Sequence, residues 1–311
     1  MVISINRNDV IKEYGKPCSK DNEQRVDLTA EGILEEFTPG QYVVLPKGTR
    51  ILNGIYDALQ EYVVRPLNFE EVVLPKMAPV ETFERASLVD FPDGRQRQSD
   101  FPWSWDQYLL TAQPFGETEG VKETYILDPL QCTVFYQFLE GKTVDVSEKP
   151  LRWYDRSGPT YRNESLESLV PGVKQKEFHR SEFVFLGTKG QVIQTREAAL
   201  GQIEKLCKSL ELNYRVVVGG SCHRLEDHEV REPEGVKDIP VKDVEIYCPG
   251  YGYLEVSGNA IMGNVLTSRF SISGANGEEL WSGCSGIGLE RMVYGVVCNH
   301  VTAKLSTSLR V

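Results

Sequence analysis

The second half of the chain is written as short β-branched and aromatic runs broken by glycine and asparagine. "YRVVV" begins at Tyr214, "VKDVEIY" at Val241, "GYLEVS" at Gly252 and "VLTSRFSI" at Val265, the last three divided only by short turns. Upstream, "YDRSGPTYRNE" from Tyr154 and "EFVFLG" from Glu182 read as two more strands joined through "SLESLVPGVKQ". Tyr125 to Leu127 is extended, and "EEVVLPKM" from Glu70 is a short strand stopped by Pro75. Helical spacing lies before, between and after these runs. Ile51, Leu52, Ile55, Tyr56, Leu59 and Val63 predict a helix from Arg50 to Arg65, with Thr49 as N-cap and Pro66 as its end. Further helices are predicted at Leu130 to Leu139, Thr195 to Leu212 and about Gly286 to His300. Strands joined at hairpin length, with helices grouped around them, predict an α+β fold: a mostly antiparallel sheet flanked by helices, not a doubly wound one.

Composition narrows the function classes. The 311 residues are 41% hydrophobic and 25% charged, enough to bury a sizeable core. A net charge of −11 opposes a broad basic face for a polyphosphate backbone. The seven cysteines are scattered without C-x-x-C pairs, which suits a reducing compartment. The N-terminus lacks a signal-peptide core and no run approaches a membrane span, so a cytoplasmic protein is expected. The chain contains no G-x-x-x-x-G-K-[ST] and no strand-to-helix G-x-G-x-x-G, so nucleotide binding here would need another device.

Four stretches carry that device. "ILDPLQC-VFYQFLEG", "YDRSGPTYRNE", "EFHRSE" and "SGCSGIGLER", in this order after a helix and a proline-ended strand, resemble the motifs of class II aminoacyl-tRNA synthetases. The wording is similar to the zinc-dependent seryl-tRNA synthetases of methanogenic archaea and, more distantly, to the amino acid:carrier-protein ligases. The resemblance spans about Leu45 to His300, leaving 1–44 as an N-terminal extension and 301–311 as a polar tail.

Amino-acid activation joins a carboxylate to the α-phosphate of ATP, and charge gathers at phosphorus, so fixed cations are needed there. The resemblance implies that Arg162 holds the α-phosphate and carboxylate and Arg291 the γ-phosphate. It gives Glu164 to the adenine amino group, Phe178 to the adenine ring and Glu255 to Mg2+. Arg180 and Asn259 would contact substrate, and Glu182 would face the amino acid. Cys132, Glu182 and Cys284 match the family's Zn2+ ligands, two thiolates and a carboxylate that leave a fourth position for an amino group. Each residue taken alone has a plainer reading: Cys132 and Cys284 as buried core thiols, Arg162 and Glu164 as a surface pair, Phe178 as core, Arg291 as a solvated helix position. Cys222, His223 and His228, in "GGSCHRLEDHE", form a rival local set of ligand type ahead of a charged surface loop.

The substrates implied are ATP and a small amino acid, serine first and glycine or alanine as alternatives. Only about forty-four residues precede the matched core and the net charge is −11. The expected acceptor is therefore a carrier-protein phosphopantetheine thiol, with tRNA as the alternative. A homodimer is expected, because the proline-ended strand would otherwise leave an open sheet edge. A non-catalytic binding module is the third reading, opposed by the intact arginines and ligand set.

Overall fold

Pro46 opens the first helix at a position where its missing N–H costs nothing, and Leu45 rather than Thr49 is the N-cap. This helix, α1, spans Pro46–Leu59; a π-helical turn at Gln60–Val64 and a last turn at Arg65–Leu67 carry it past Pro66. The predicted stop at Pro66 is thus displaced by a residue, and the chain leaves at Asn68 with φ 51°. The structure is a computed structural model that describes residues 8–15, 25–86, 88, 109–112, 124–220 and 239–302. Cys222, His223, His228, the charged loop beyond them and the C-terminal tail lie outside the described residues.

Eight strands make the main sheet: β1 Val10–Tyr14, β2 Glu70–Glu71, β3 Leu151–Tyr161, β4 Glu177–Gly187, β5 Tyr214–Val218, β6 Val241–Cys248, β7 Gly252–Gly263 and β8 Trp281–Gly288. Their order is β1-β5-β6-β7-β8-β4-β3-β2, antiparallel throughout except for the short parallel β2–β3 pair. The remaining helices used below are α2 Gln131–Phe138, α3 Lys189–Ser209, α4 Val265–Arg269 and α5 Leu289–Thr302. The α+β antiparallel prediction holds.

The described residues ahead of Leu45, 8–15 and 25–44, are part of this fold. β1 pairs with β5 at the sheet edge, and Leu28, Ile33 and Leu34 are buried with the helices of the first core. "VLTSRFSI" is helical instead of extended. Val265, Leu266 and Phe270 bury one face, Thr267 Oγ1 donates to the carbonyl of Leu280, and Ser271 at φ 53° closes the turn. Tertiary burial overrides the β-branched composition there. α3 starts well before Thr195 because Thr188 and Gln191 form a reciprocal capping box, an N-terminus worth about 1 kcal/mol.

The sheet has a core on each face. Phe183 and Phe185 of β4 pack with α1, α3 and α5, while Val184 and Leu186 pack with α2, α4 and Cys284 of β8. The alternation of β4 therefore fixes which of its residues look toward α2. Those are the even-numbered ones, and they include every candidate site residue on that strand.

Candidate active site

Two ends of one sheet face collect the predicted residues other than Asn259. At the first, the ligand atoms of Cys132, Glu182 and Cys284 lie within 4.8 Å of one another, all buried. Cys132 is delivered by the first turn of α2. Glu182 stands opposite Gly286, and Cys284 opposite Val184, in the β4–β8 ladder, so both point to the same side. Arg180 Nε stands 2.7 Å from Glu182 Oε2, yet neither carboxylate oxygen receives a well-directed hydrogen bond. Gly286 makes room for this arginine, since a Cβ there would sit 1.9 Å from Arg180 Nη2.

Burial pushes the Glu182 carboxyl up to about 7, against the pull of Arg180. Hydrogen bonding with Cys132, together with burial, pushes the Cys284 thiol up. Three acidic groups this close cannot ionise together without a cation among them. A tetrahedral Zn2+ with thiolate bonds of about 2.3 Å needs donors roughly 3.8 Å apart, which this triangle can supply. The donor set fits the metal.

At the second end, Arg162, Glu164, Phe178, Glu290 and Arg291 line a cleft with Lys174. The Arg162 guanidinium lies 5.4 Å over the Phe178 ring. Glu164 is buried and ion-paired to Lys174 Nζ at 3.0 Å. Arg291 is anchored by two carbonyls, Nε to Val173 and Nη1 to Glu255, both at 2.9 Å. Glu255 itself is exposed, and its carboxylate and that of Asp243 flank Gly258, at 4.0 and 3.3 Å from where a Cβ would be.

Asn259 does not join either group. It pairs with Ser285, one residue from Cys284, so its side chain emerges on the opposite face of the sheet. There its Nδ2 donates to the Lys242 carbonyl at 3.1 Å and to Ser257 Oγ at 3.2 Å. Gly258 and Ala260 occupy the site face instead.

Sequence reasoning passed over three features. His179 and Glu290 form a clamp between β4 and α5: Glu290 accepts from the His179 backbone N–H at 2.8 Å and meets Nδ1 at 2.7 Å. That contact, outweighing burial, raises His179 above its ordinary value of 6.5. Lys76 ion-pairs with Asp155 beside β3. Asp128 is fully buried just before α2. No motif signals the clamp, though the "FHR" and "LER" wording places both members beside predicted ligand-binding residues.

This arrangement, an antiparallel sheet with paired arginines at one end and a thiol–carboxylate triangle at the other, defines a class II synthetase core. The model of the tRNA synthetase class II core domain (G, H, P, S and T) matches residues 115–300, and the chain belongs to that family. Among individual proteins it is similar to type-2 serine–tRNA ligases. That of Methanopyrus kandleri is 28% identical over 96% of this chain and 61% of its own length. That of Methanocaldococcus jannaschii is 30% identical over 84% of this chain and 53% of its own. The chain thus spans about half to three-fifths of these relatives. Among solved structures, M. kandleri SerRS in complex with A. aeolicus tRNASec superposes with a TM-score of 0.78 at 25% identity, over 96% of this chain and 61% of that one. The cytoplasmic serine–tRNA ligase of Naegleria fowleri, solved with AMP, shares the fold at a TM-score of 0.70 and 17% identity, over 96% and 62% of the two chains. No described helix is long and apolar enough to cross a membrane.

Proposed function

We propose that the chain is the amino-acid-activating core of a serine–tRNA ligase of the type-2 kind. One observation carries this reading: Phe178, Arg180 and Glu182 share a single face of β4. Four residues at about 3.4 Å each set the adenine platform roughly 14 Å from the metal triangle. That is the reach of an extended aminoacyl-adenylate from base to amino nitrogen.

In this reading the serine carboxylate attacks the α-phosphorus of ATP, a new C–O–P bond forms, and pyrophosphate leaves. Phe178 stacks on adenine and Glu164 accepts from its amino group. Arg162 swings from the Phe178 ring to the α-phosphate and serine carboxylate, where its planar fork can grip two oxygens. Arg291 holds the γ-phosphate, and Glu255 would hold Mg2+, which would supply positive charge for the phosphates. Zn2+ held by Cys132, Glu182 and Cys284 would offer a fourth position to the substrate's amino group, selecting α-amino acids over hydroxy acids. Arg180, 2.7 Å from Glu182 Oε2, favours the ionised carboxylate that such ligation needs, against the opposing effect of burial. The edge strand β2, with Val73 at 87% and Met77 at 52% exposure beyond it, supports pairing with a second copy.

The relatives' names favour tRNA as the acceptor, and the carrier-protein thiol expected from the sequence draws no support from them. The test is transfer: protein, ATP, labelled serine and either total tRNA or a phosphopantetheinylated carrier protein. Label on tRNA, abolished by Arg162→Ala, is the expected result. Label on the carrier alone would restore the other acceptor.

A further inference from the structure

Three buried polar groups beside the metal triangle lack hydrogen-bond partners, and the chemistry assigned so far uses none of them. Asp128 is 0% exposed; its Oδ1 accepts from the Leu130 N–H at 2.9 Å, while Oδ2 has no partner. Gln131, the first residue of α2, is 0% exposed with neither Oε1 nor Nε2 bonded. Thr160 Oγ1 is likewise buried and unpaired, on β3 opposite Phe178.

These groups sit together. The Tyr161 N–H donates to the Asp128 carbonyl at 2.9 Å, which ties Asp128 to the residue after Thr160. Gly158 lies opposite Arg180 on the site face, and a Cβ there would stand 2.2 Å from Gln131 Nε2 and 2.5 Å from Lys76 Nζ. Asp128 lies four residues before Cys132, and its carboxyl feels the charges of both Cys132 and Glu182. Native interiors rarely leave such atoms unsatisfied: ordered water or a ligand completes them, and at a substrate site the ligand takes that place.

We propose that Asp128 and Gln131 read the side chain of the amino acid, and that the group they take is a hydroxyl. The inference rests on the activating reading above. The hydroxyl is the short side-chain group that both donates and accepts, so it complements Asp128 Oδ2 in either protonation state and the Gln131 amide in either orientation. A methyl or a hydrogen in that place leaves two buried polar groups unpaired. This wall, and not the metal, then separates serine from alanine and glycine.

The experiment compares serine with alanine in ATP–pyrophosphate exchange, for wild type, Gln131→Met, Asp128→Ala and Asp128→Asn. Thermal melting is run in parallel. Gln131→Met keeps the length of the side chain and removes only its polarity, and Asp128→Asn keeps the turn acceptor and a polar tip. The serine-to-alanine ratio of kcat/KM falls roughly ten- to a hundredfold in Gln131→Met and Asp128→Ala. In Asp128→Asn it is largely restored. Equal losses for serine and alanine, or an unchanged ratio in both apolar variants, overturn the assignment while leaving the activating reading intact. If the ratio cannot be formed because wild type exchanges with no amino acid, both fall together. Calorimetry with non-hydrolysable seryl and alanyl sulfamoyl adenylates gives a second readout: the same variants lose preference for the seryl compound, and a preference that persists refutes the wall.

Discussion

Removing the Glu290 carboxylate tests how the nucleotide end of the site is held together. Glu290→Ala deletes two contacts at once, the 2.8 Å bond from the His179 backbone N–H and the 2.7 Å contact with its ring. Hydrogen bonds to a charged group are worth about 1.5–3 kcal/mol each when buried. The Glu290 side chain is 8% exposed, so the backbone bond keeps that value, but the His179 side chain is 38% exposed. The ring contact is therefore discounted to at most about 1 kcal/mol. The expected loss is about 1.5–4 kcal/mol. Glu290→Gln retains an acceptor for the backbone and gives up the charge, so it costs about 1 kcal/mol. The pH dependence has a definite sign. Folding raises His179 above its ordinary 6.5, so the ion pair stabilises fully below that value and fades as pH climbs through the raised one. The gap between wild type and Glu290→Gln in urea unfolding is accordingly wider near about pH 5.5 than near about pH 9. Because Arg291 follows directly, the Ala variant also raises the KM for ATP, by roughly three- to tenfold. A loss under about 0.5 kcal/mol, or a gap that ignores pH, would refute the clamp.

Other perturbations probe separate parts of the account. A methyl on Gly283 would stand 2.4 Å from Phe185 Cε2 and 2.7 Å from the Ala260 carbonyl, so Gly283→Ala should cost about 1–3 kcal/mol; an unchanged melting temperature contradicts the β4–β8–β7 packing. Metal analysis should find about one Zn2+ per chain, lost with exchange activity in Cys284→Ala, whereas full activity after exhaustive chelation excludes the metal's role. Light scattering at micromolar concentration should report a dimer, converted to monomer by Val73→Asp; a monomeric wild type removes the edge-pairing argument.

The parts of the molecule legible in the sequence are those where pattern and burial agree. β6 alternates cleanly and a short turn divides it from β7, so their antiparallel pairing could be read directly. Phe178 and Glu182 stand four residues apart in the sequence, an even offset that puts both on one face of a strand, and in the structure they share that face with Arg180. What failed was governed by neighbours distant in sequence. Val265 to Phe270 looks β-branched, but its burial among α2 and the second core makes it a helix. The strand before Tyr14 reads as polar because one edge strand needs few apolar residues. Asn259, expected at the substrate, lies on the other face because its orientation depends on the β7–β8 register, and a bulge between Val244 and Glu245 interrupts the neighbouring β6–β7 ladder. The α3 start was missed although Thr188 and Gln191 spell a capping box, so that signal was present and unused. The Asp128 and Gln131 wall had none, since an unsatisfied buried atom exists only once the chain has folded.

The central claim is that this chain activates serine by itself. Serine-dependent exchange of labelled pyrophosphate into ATP, measured on the purified chain without tRNA, tests it most directly. The account predicts robust exchange with serine, weak exchange with alanine and glycine, and loss of the signal in Arg162→Ala. Exchange that requires no amino acid, or none with serine under conditions where the protein is folded and metal-loaded, would contradict it.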